Sequence, residues 1–331
     1  MTSIPGRNGG RAGRRLRLGA AVAAMAALCG ITALSGARMQ SMRAAAAPVS
    51  GETPWVRYVM VGLGGFRGIV SEVLWIRADR LQTQGRYLEL AQLSNWINSL
   101  DPRAIDAWSF NAWNLAYNIG AMLPDREAKL HWVLAGVSLL RDKAIPANPD
   151  APSLYRELGW LYQNKIGASD DPAHLTYKLD LAADLSRPAG ERHHPLDQSA
   201  MARVEGRFGK LDWRLAQSHA IYWAWRGLAL EPTGFERDSL RRMVQQNLVA
   251  LVGAGEFTGD AAAGVWQTAP NWRMVAPAMD FFEETIVNSQ AEIRIYRLFL
   301  TALSSRIADS CDPALEERVK RRLEELGGPP D

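Results

Sequence analysis

The sequence predicts an all-α protein built from antiparallel helix pairs, and two observations carry that prediction. Apolar residues recur at helical spacings of three and four along nearly the whole chain after residue 69, whereas the alternation typical of strands is scarce. Three predicted helices also end alike, at Leu100-Asp101-Pro102, Ala147-Asn148-Pro149 and Leu230-Glu231-Pro232. Because proline cannot continue a helix, each tripeptide marks the close of a helical pair.

The first element is a predicted membrane anchor. Residues 1–17 are basic, and residues 18–37 form an uncharged, Ala-rich stretch that ends at Arg38. A helix of that length spans roughly 30 Å, the thickness of a bilayer core. The upstream arginines favour an N-terminus inside the cell, so we expect a single-pass protein of a bacterial inner membrane with a periplasmic main domain. A cleaved signal peptide is the alternative.

The remaining elements follow from turn signals and composition. Residues 38–54 are rich in Ala, Ser and Pro and predict a linker. Five apolar helical stripes, separated by turns, predict a helical region over residues 55–166. A polar loop at residues 167–200, a second helical region at 201–252, a Gly-, Ala- and Pro-rich loop at 253–277 and C-terminal helices at 278–331 complete the prediction.

Charge and cysteine content exclude several classes of protein. The formal charge of +3 comes from the amino terminus, because no acidic residue precedes Glu52, and the rest of the chain is weakly acidic. We therefore expect no nucleic-acid partner. The two cysteines are Cys29, inside the predicted anchor, and Cys311. This excludes a disulfide scaffold and a cysteine-ligated zinc site in the main domain.

A repeated pattern gives the helix pairs a family resemblance. Tyr155-x2-Leu158-Gly159-x2-Tyr162 resembles the first-helix signature of the tetratricopeptide repeat (TPR). The small residues Ala220, Ala224 and Gly227, followed by Pro232, resemble the second helix of that repeat. The resemblance implies a divergent TPR-like α-solenoid whose helices pack through a set of aromatic and small residues. These predicted packing residues are Trp108, Tyr155, Leu158, Gly159, Tyr162, Ala220, Ala224 and Gly227.

Three other stretches, "GFRGIVSEVLWIRADRL", "AWNLAYNIG" and "LDWRLAQSHAIYWA", resemble a membrane-anchored bacterial family with TPR-like helices. That second resemblance implies an anchored helical domain and no known reaction.

The TPR resemblance also implies a binding surface for a protein partner. First helices line the concave face of a TPR domain, and asparagines there grip an extended peptide. By resemblance, the candidates here are Asn111, Asn114, Asn118, Tyr117 and Tyr222. The spacing of the three asparagines places them on one helix face. Alternatively, these amides form internal hydrogen bonds around buried tryptophans.

The polar loop holds the strongest catalytic candidates. Asp170, Asp171 and His174 are spaced to lie on one side of a helix start, where they could bind a metal, with His193 and His194 as further ligands. In the alternative interpretation, one of the two aspartates caps a helix that begins with the following proline.

The favoured function is a membrane-tethered, periplasm-facing scaffold that binds a protein partner without a cofactor. The first alternative is an envelope enzyme or metal-dependent hydrolase that uses Asp170, Asp171 and His174. The second is a binder of glycan or lipid through exposed aromatic residues.

Overall fold

A computed structural model describes residues 67–286 and 290–329. The predicted anchor and linker, residues 18–54, lie outside the described residues. None of the described helices combines the length and the apolar character of a membrane-spanning segment. The chain divides between Pro102 and Arg103 into two compact units.

The first unit contains two helices, α1 (Arg67–Thr83) and α2 (Tyr87–Leu100), which pack against each other. Gly85 makes the turn between them with a positive φ of 68°, a conformation that glycine adopts without strain. Buried Leu81, Leu90 and Ile97 supply the apolar contact. The second helix ends at the predicted stop, directly before Asp101-Pro102.

The second unit is also helical, and three of its helices contain a π-helical segment. These are α3 (Ile105–Trp113, then π-helical Asn114–Ile119, then Gly120–Met122), α4 (Arg126–Ser138, π-helical Leu139–Ala144, Ile145–Ala147) and α5 (Pro152–Leu161, π-helical Tyr162–Ile166). The later helices are α6 (His174–Asp184), α7 (Gln198–Phe208), α8 (Ala216–Leu228), α9 (Gly234–Ala254), α10 (Val275–Thr285), α11 (Gln290–Ser304) and α12 (Pro313–Glu325).

Irregular elements join these helices. Short 3₁₀ turns occur at Ala189–Glu191, Trp272–Met274 and Ile307–Ser310. Across the described residues, the named strands are the two-residue β1 (Glu256–Phe257) and β2 (Thr268–Ala269), which pair antiparallel. The all-α prediction is therefore confirmed.

The predicted polar loop at residues 167–200 contains a complete helix, α6. Its inner face buries Tyr177 and Leu181, four residues apart, together with the charged residues Lys178, Asp180 and Asp184. Because those buried charges interrupt the apolar pattern, the sequence at this position has the composition of a loop. The ion pairs that permit their burial connect residues distant in sequence, so periodicity alone does not reveal them.

The central helices pack in pairs at very short range. Helix α5 packs against α8, although α6 and α7 lie between them in sequence. The two run antiparallel, since Tyr155 lies against Gly227 and Gly159 lies against Ala220. Each of the two glycines leaves room for a neighbouring helix that a side chain would fill. The two halves of the predicted repeat signature thus lie in one helix pair, a packing compatible with a helical-repeat fold.

Helix α9 adds a third layer to this pair. It packs on both α8 and α5. It runs parallel to α5, because Arg156 pairs with Glu236 and, further along both helices, Gln163 contacts Gln246. Helices α5 and α9 therefore present neighbouring parallel faces.

Candidate functional site

The surface between α5 and α9 forms a groove with a cavity volume of ≈ 530 Å³, which we call the α5–α9 groove. Its residues recur at spacings of three and four on each helix, so each helix contributes one face. The lining residues are Arg156, Trp160, Gln163 and Asn164 of α5 with Ser239, Arg242, Met243 and Gln246 of α9.

Side-chain amides dominate the floor of this groove. Gln163 donates from Nε2 to Oε1 of Gln246 at 2.9 Å, and its own Oε1 accepts from Nδ2 of Asn247 at 2.9 Å. Gln246 is exposed, and Asn164 is half-buried. Each primary amide offers both donors and an acceptor, the combination that an extended peptide backbone requires.

Two arginines flank the amides, and they differ in their partners. Arg156 forms ion pairs with Glu157 and Glu236 and lies 5.7 Å from the ring centre of Phe235. Arg242 donates to Ser239 Oγ at 3.3 Å, and no described carboxylate lies within ion-pair distance of it. The groove therefore carries one positive charge that is not neutralised by the chain around it.

A row of aromatic rings extends the groove toward α3. Tyr117 stacks on Trp113 with 5.7 Å between ring centres and meets Trp160 of the groove at 5.3 Å. Lys165 places its ammonium 4.7 Å from the centre of the Tyr117 ring. Burial raises the pKa of Tyr117, and the charges of Asp170 and Asp171 raise it further. The phenol is thus neutral at physiological pH, and Trp113 remains partly exposed.

The residues that the sequence predicted for a binding groove are not among those that line the α5–α9 groove. Asn111, Asn114 and Tyr222 are completely buried, so in this conformation they offer no surface to a partner. Asn118 donates from Nδ2 to Oδ1 of Asn114 at 3.0 Å. This is an internal amide hydrogen bond, as in the alternative interpretation of these asparagines. Tyr117 and Asn118 are partly exposed, and their contact with a partner stays a prediction.

The predicted packing residues all lie in the interior. Tyr155 and Tyr162 are 5% and 0% exposed, and both touch α8. Tyr162 stacks on His219 at 4.8 Å, and Tyr155 meets Trp223 at 6.3 Å between ring centres. The remaining buried members of the set are Trp108, Leu158, Gly159, Ala220, Ala224 and Gly227.

The candidate metal ligands are engaged with cations and backbone groups of the chain itself. Asp171 accepts from Lys165 Nζ at 2.5 Å and from the Tyr177 hydroxyl at 3.2 Å. Burial raises the pKa of Asp171, but the hydrogen bonds from Lys165 and the Ala173 backbone, together with the charges of Lys165 and Lys129, outweigh this effect, so the net pKa is lowered. Asp171 also accepts from the backbone N–H of Ala173, directly before α6. Its carboxylate thus closes the turn into a helix that begins at His174, two residues later than predicted.

Burial and the nearby Lys178 charge lower the pKa of His174, while Asp170 makes no hydrogen bond or ion pair in the described chain. Within residues 67–286 and 290–329, no group of three or more His, Cys, Asp or Glu side chains is arranged to hold a metal. An envelope enzyme that uses this segment stays a prediction.

Exposed His193 and buried His194 belong to a polar cluster, which we call the His194 cluster. His194 faces the Tyr162 hydroxyl through Nδ1 at 2.9 Å and lies 3.4 Å from Asp180 through Nε2. Asp180 also binds His193 at 3.0 Å and Arg187 at 2.6 Å. The cluster ties α6 and the segment after it to α5.

The protonation states in the His194 cluster follow from its burial. Burial raises the pKa of Asp180, but hydrogen bonds from His194, His193 and Arg187 outweigh this effect and hold the pKa below its usual range. Burial also lowers the pKa of His194, and it lowers the pKa of His219 to about 3, with the charge of His194 adding to the effect. At neutral pH His194 and His219 are therefore neutral, beside the ionised carboxylate of Asp180.

No protein-family model matches this chain, and no curated protein is detectably similar to it. The α5–α9 groove and the helix-pair signature are therefore the grounds for a functional proposal.

Proposed function

We propose that this protein is a membrane-tethered scaffold of the TPR type whose α5–α9 groove binds an extended segment of a partner protein. The observation that carries the proposal is the arrangement of three helices. Both halves of the TPR signature lie in the antiparallel α5–α8 pair, and α9 continues the array parallel to α5. TPR arrays build their concave binding face from such parallel first helices.

The groove chemistry supports a peptide over a small apolar ligand. Gln163, Asn164 and Gln246 present amides that pair with the N–H and C=O groups of an extended chain. Arg242 favours a segment that carries a carboxylate, and Trp160 offers an aromatic face beside it. A net gain of about 1 kcal/mol for each hydrogen bond, with one or two aromatic contacts, corresponds to micromolar affinity at best.

A membrane tether makes such an affinity sufficient. Anchoring through residues 18–37 confines the groove to the membrane surface, where it meets membrane-bound partners at a high effective concentration. The proposed setting is the periplasmic face of a bacterial inner membrane. The partner is then a protein of the envelope, and the scaffold helps to assemble or stabilise its complex.

Affinity capture with matched arginine variants tests the proposal. Arg242→Ala removes the unneutralised charge of the groove. Arg203→Ala is the control, because Arg203 is exposed on α7 and, like Arg242, donates only to a serine hydroxyl, at 3.2 Å from Ser199. We expect Arg242→Ala to lose proteins that wild type and Arg203→Ala retain after mild solubilisation of the membranes. Identical sets of captured proteins for all three would refute the groove as the binding site.

A further inference from the structure

A second pocket shares no lining residue with the α5–α9 groove, and we call it the Arg226 pocket. It lies where the end of α4, the start of α5, α8 and residues 195–197 meet, and its cavity volume is ≈ 480 Å³. That volume lies within the range of small-ligand sites. Its walls include three prolines and three aromatic side chains, namely Pro146, Pro149, Pro195, Tyr155, Tyr222 and Trp223.

The two tyrosine hydroxyls of these walls already form hydrogen bonds inside the protein. The Tyr155 hydroxyl donates to the Pro149 carbonyl at 3.2 Å, and the Tyr222 hydroxyl accepts from the backbone N–H of Asp197 at 3.2 Å. The rings of Tyr155, Tyr222 and Trp223 are themselves 5%, 0% and 3% exposed, so the apolar walls open to a ligand are the exposed prolines, and an apolar group is the natural occupant of the space beside them.

Arg226 is the charge that remains available in this pocket. Its guanidinium lies 5.6, 5.6 and 5.3 Å from the ring centres of Tyr155, Tyr222 and Trp223. One of its N–H groups donates to the Tyr222 hydroxyl at 3.4 Å. Among the described residues, no carboxylate lies within ion-pair distance of it. The three rings hold the planar fork in place without neutralising it.

The other charged groups of the pocket have partners. Arg141 pairs with Asp142 at 2.6 Å and donates to the His193 carbonyl at 2.7 Å. Asp197 attracts Arg226 weakly, but its carboxylate accepts from the Ser199 hydroxyl and from the backbone N–H of Ala200, which caps α7. Because the partners of Asp197 are uncharged, Asp197 keeps its negative charge; of the two cations that line the pocket, Arg226 is the one without an ion pair, and it is the group that a ligand carboxylate would bind.

We propose that the Arg226 pocket binds a carboxylate attached to an apolar body. A guanidinium fork accepts a carboxylate through two parallel hydrogen bonds, and its stacking on rings leaves little freedom to lose on binding. The exposed proline walls then contact the carbon skeleton next to that carboxylate. Two sources share this chemistry: the C-terminal carboxylate of a peptide that ends in an apolar residue, and a free organic acid.

Calorimetric titration of the full chain with four probes tests the proposal. The probes are acetyl-Ala-Pro-Val with a free carboxylate, the same peptide as its C-terminal amide, benzoate, and inorganic phosphate. We expect at least one carboxylate to bind, and the amide to bind at least tenfold more weakly than the free peptide if the peptide is the ligand. Binding of benzoate alone identifies a free organic acid as the ligand. Equal binding of acid and amide, tighter binding of phosphate, or no binding of either carboxylate would overturn the proposal.

Three variants locate the binding in this pocket. Arg226→Gln should weaken carboxylate binding at least tenfold, and Arg226→Lys, which keeps the charge and loses the fork, should give an intermediate loss. Arg203→Gln is the control, because Arg203 is exposed on α7, donates only to a serine hydroxyl and lines neither the Arg226 pocket nor the α5–α9 groove, so its removal should leave the affinity unchanged. If circular dichroism shows that Arg226→Gln does not fold, the affinity of Arg226→Lys tests the proposal instead. Wild-type affinity in the folded Arg226 variants would overturn the proposal.

Discussion

Replacing Gly159 with alanine should destabilise the packing of α5 against α8 and α9. A β-carbon at this position would lie 2.6 Å from Met243 Sδ and 3.3 Å from the carbonyl oxygen of Ala220. The Met243 thioether has rotatable bonds and can move aside. The Ala220 carbonyl belongs to the backbone of α8, so relief there requires the two helices to separate.

The expected magnitude follows from two opposing terms. Overpacking a tight contact costs about 1–3 kcal/mol, whereas alanine gains about 1 kcal/mol over glycine within a helix. Gly159→Ala should therefore lower the free energy of unfolding by about 0–2 kcal/mol. Gly206 on α7 is the matched control, since a β-carbon there would meet nothing within 4 Å. Gly206→Ala should raise the free energy of unfolding by about 0.5–1 kcal/mol.

Urea unfolding followed by far-ultraviolet circular dichroism measures both variants against the wild type. Adding Met243→Ala to Gly159→Ala should cost less than the sum of the two single changes, with a coupling of about 0.5–3 kcal/mol, because the new methyl group fills the space that sulfur leaves. If Gly159→Ala stabilised the protein as much as Gly206→Ala, the close approach of α5 and α8 would be refuted.

Three further predictions concern pH, the His194 cluster and the anchor. Acidification below pH 6.5 should lower the thermal midpoint, because burial holds the folded-state pKa values of His194 and His219 below the usual 6.5, so the unfolded chain binds more protons. Since the pKa of His219 is lowered to about 3, that histidine contributes a slope of about 1.4 kcal/mol per pH unit between these two values, and His194 acts in the same direction; an unchanged midpoint down to pH 5 would contradict the prediction. Asp180→Asn should lower the free energy of unfolding measured in urea by about 3 kcal/mol, because Arg187 loses one of its two carboxylate partners. Asp142→Asn is the control at a half-exposed ion pair and should change that free energy by less than about 1 kcal/mol. Deleting residues 18–37 should move a tagged chain from the membrane fraction to the soluble fraction, and retention in the membrane would argue against the predicted anchor.

The fold class and the helix stops could be predicted from local sequence, because helical periodicity and proline act over a few residues. Helices α2 and α4 end at Leu100 and Ala147, directly before the predicted stops. The sequence revealed the two halves of the repeat signature, one on α5 and one on α8, but not that these two helices pack against each other. Which helix follows α5 in space depends on packing across the segment that contains α6 and α7, and no local pattern encodes that order.

Two of the three asparagines predicted to line a groove on α3 are buried, for a physical reason. The spacing of Asn111, Asn114 and Asn118 groups them on one face without showing whether that face is inside or outside. The π-helical segment Asn114–Ile119 then changes the phase of the helix, so Asn118 emerges at the surface while Asn111 and Asn114 stay buried. The amides of Gln163 and Gln246 were missed because their helices come together only in the folded protein.

Site-specific photo-cross-linking in living cells tests the peptide-binding groove most directly. A photoreactive phenylalanine analogue replaces Gln246, which is exposed in the groove, and in a separate control it replaces Lys210, which is exposed outside the groove. A partner segment lying between α5 and α9 should give a discrete cross-linked protein from position 246 and none from position 210. The same product from both positions, or a product from position 210 alone, would contradict the groove as the binding site.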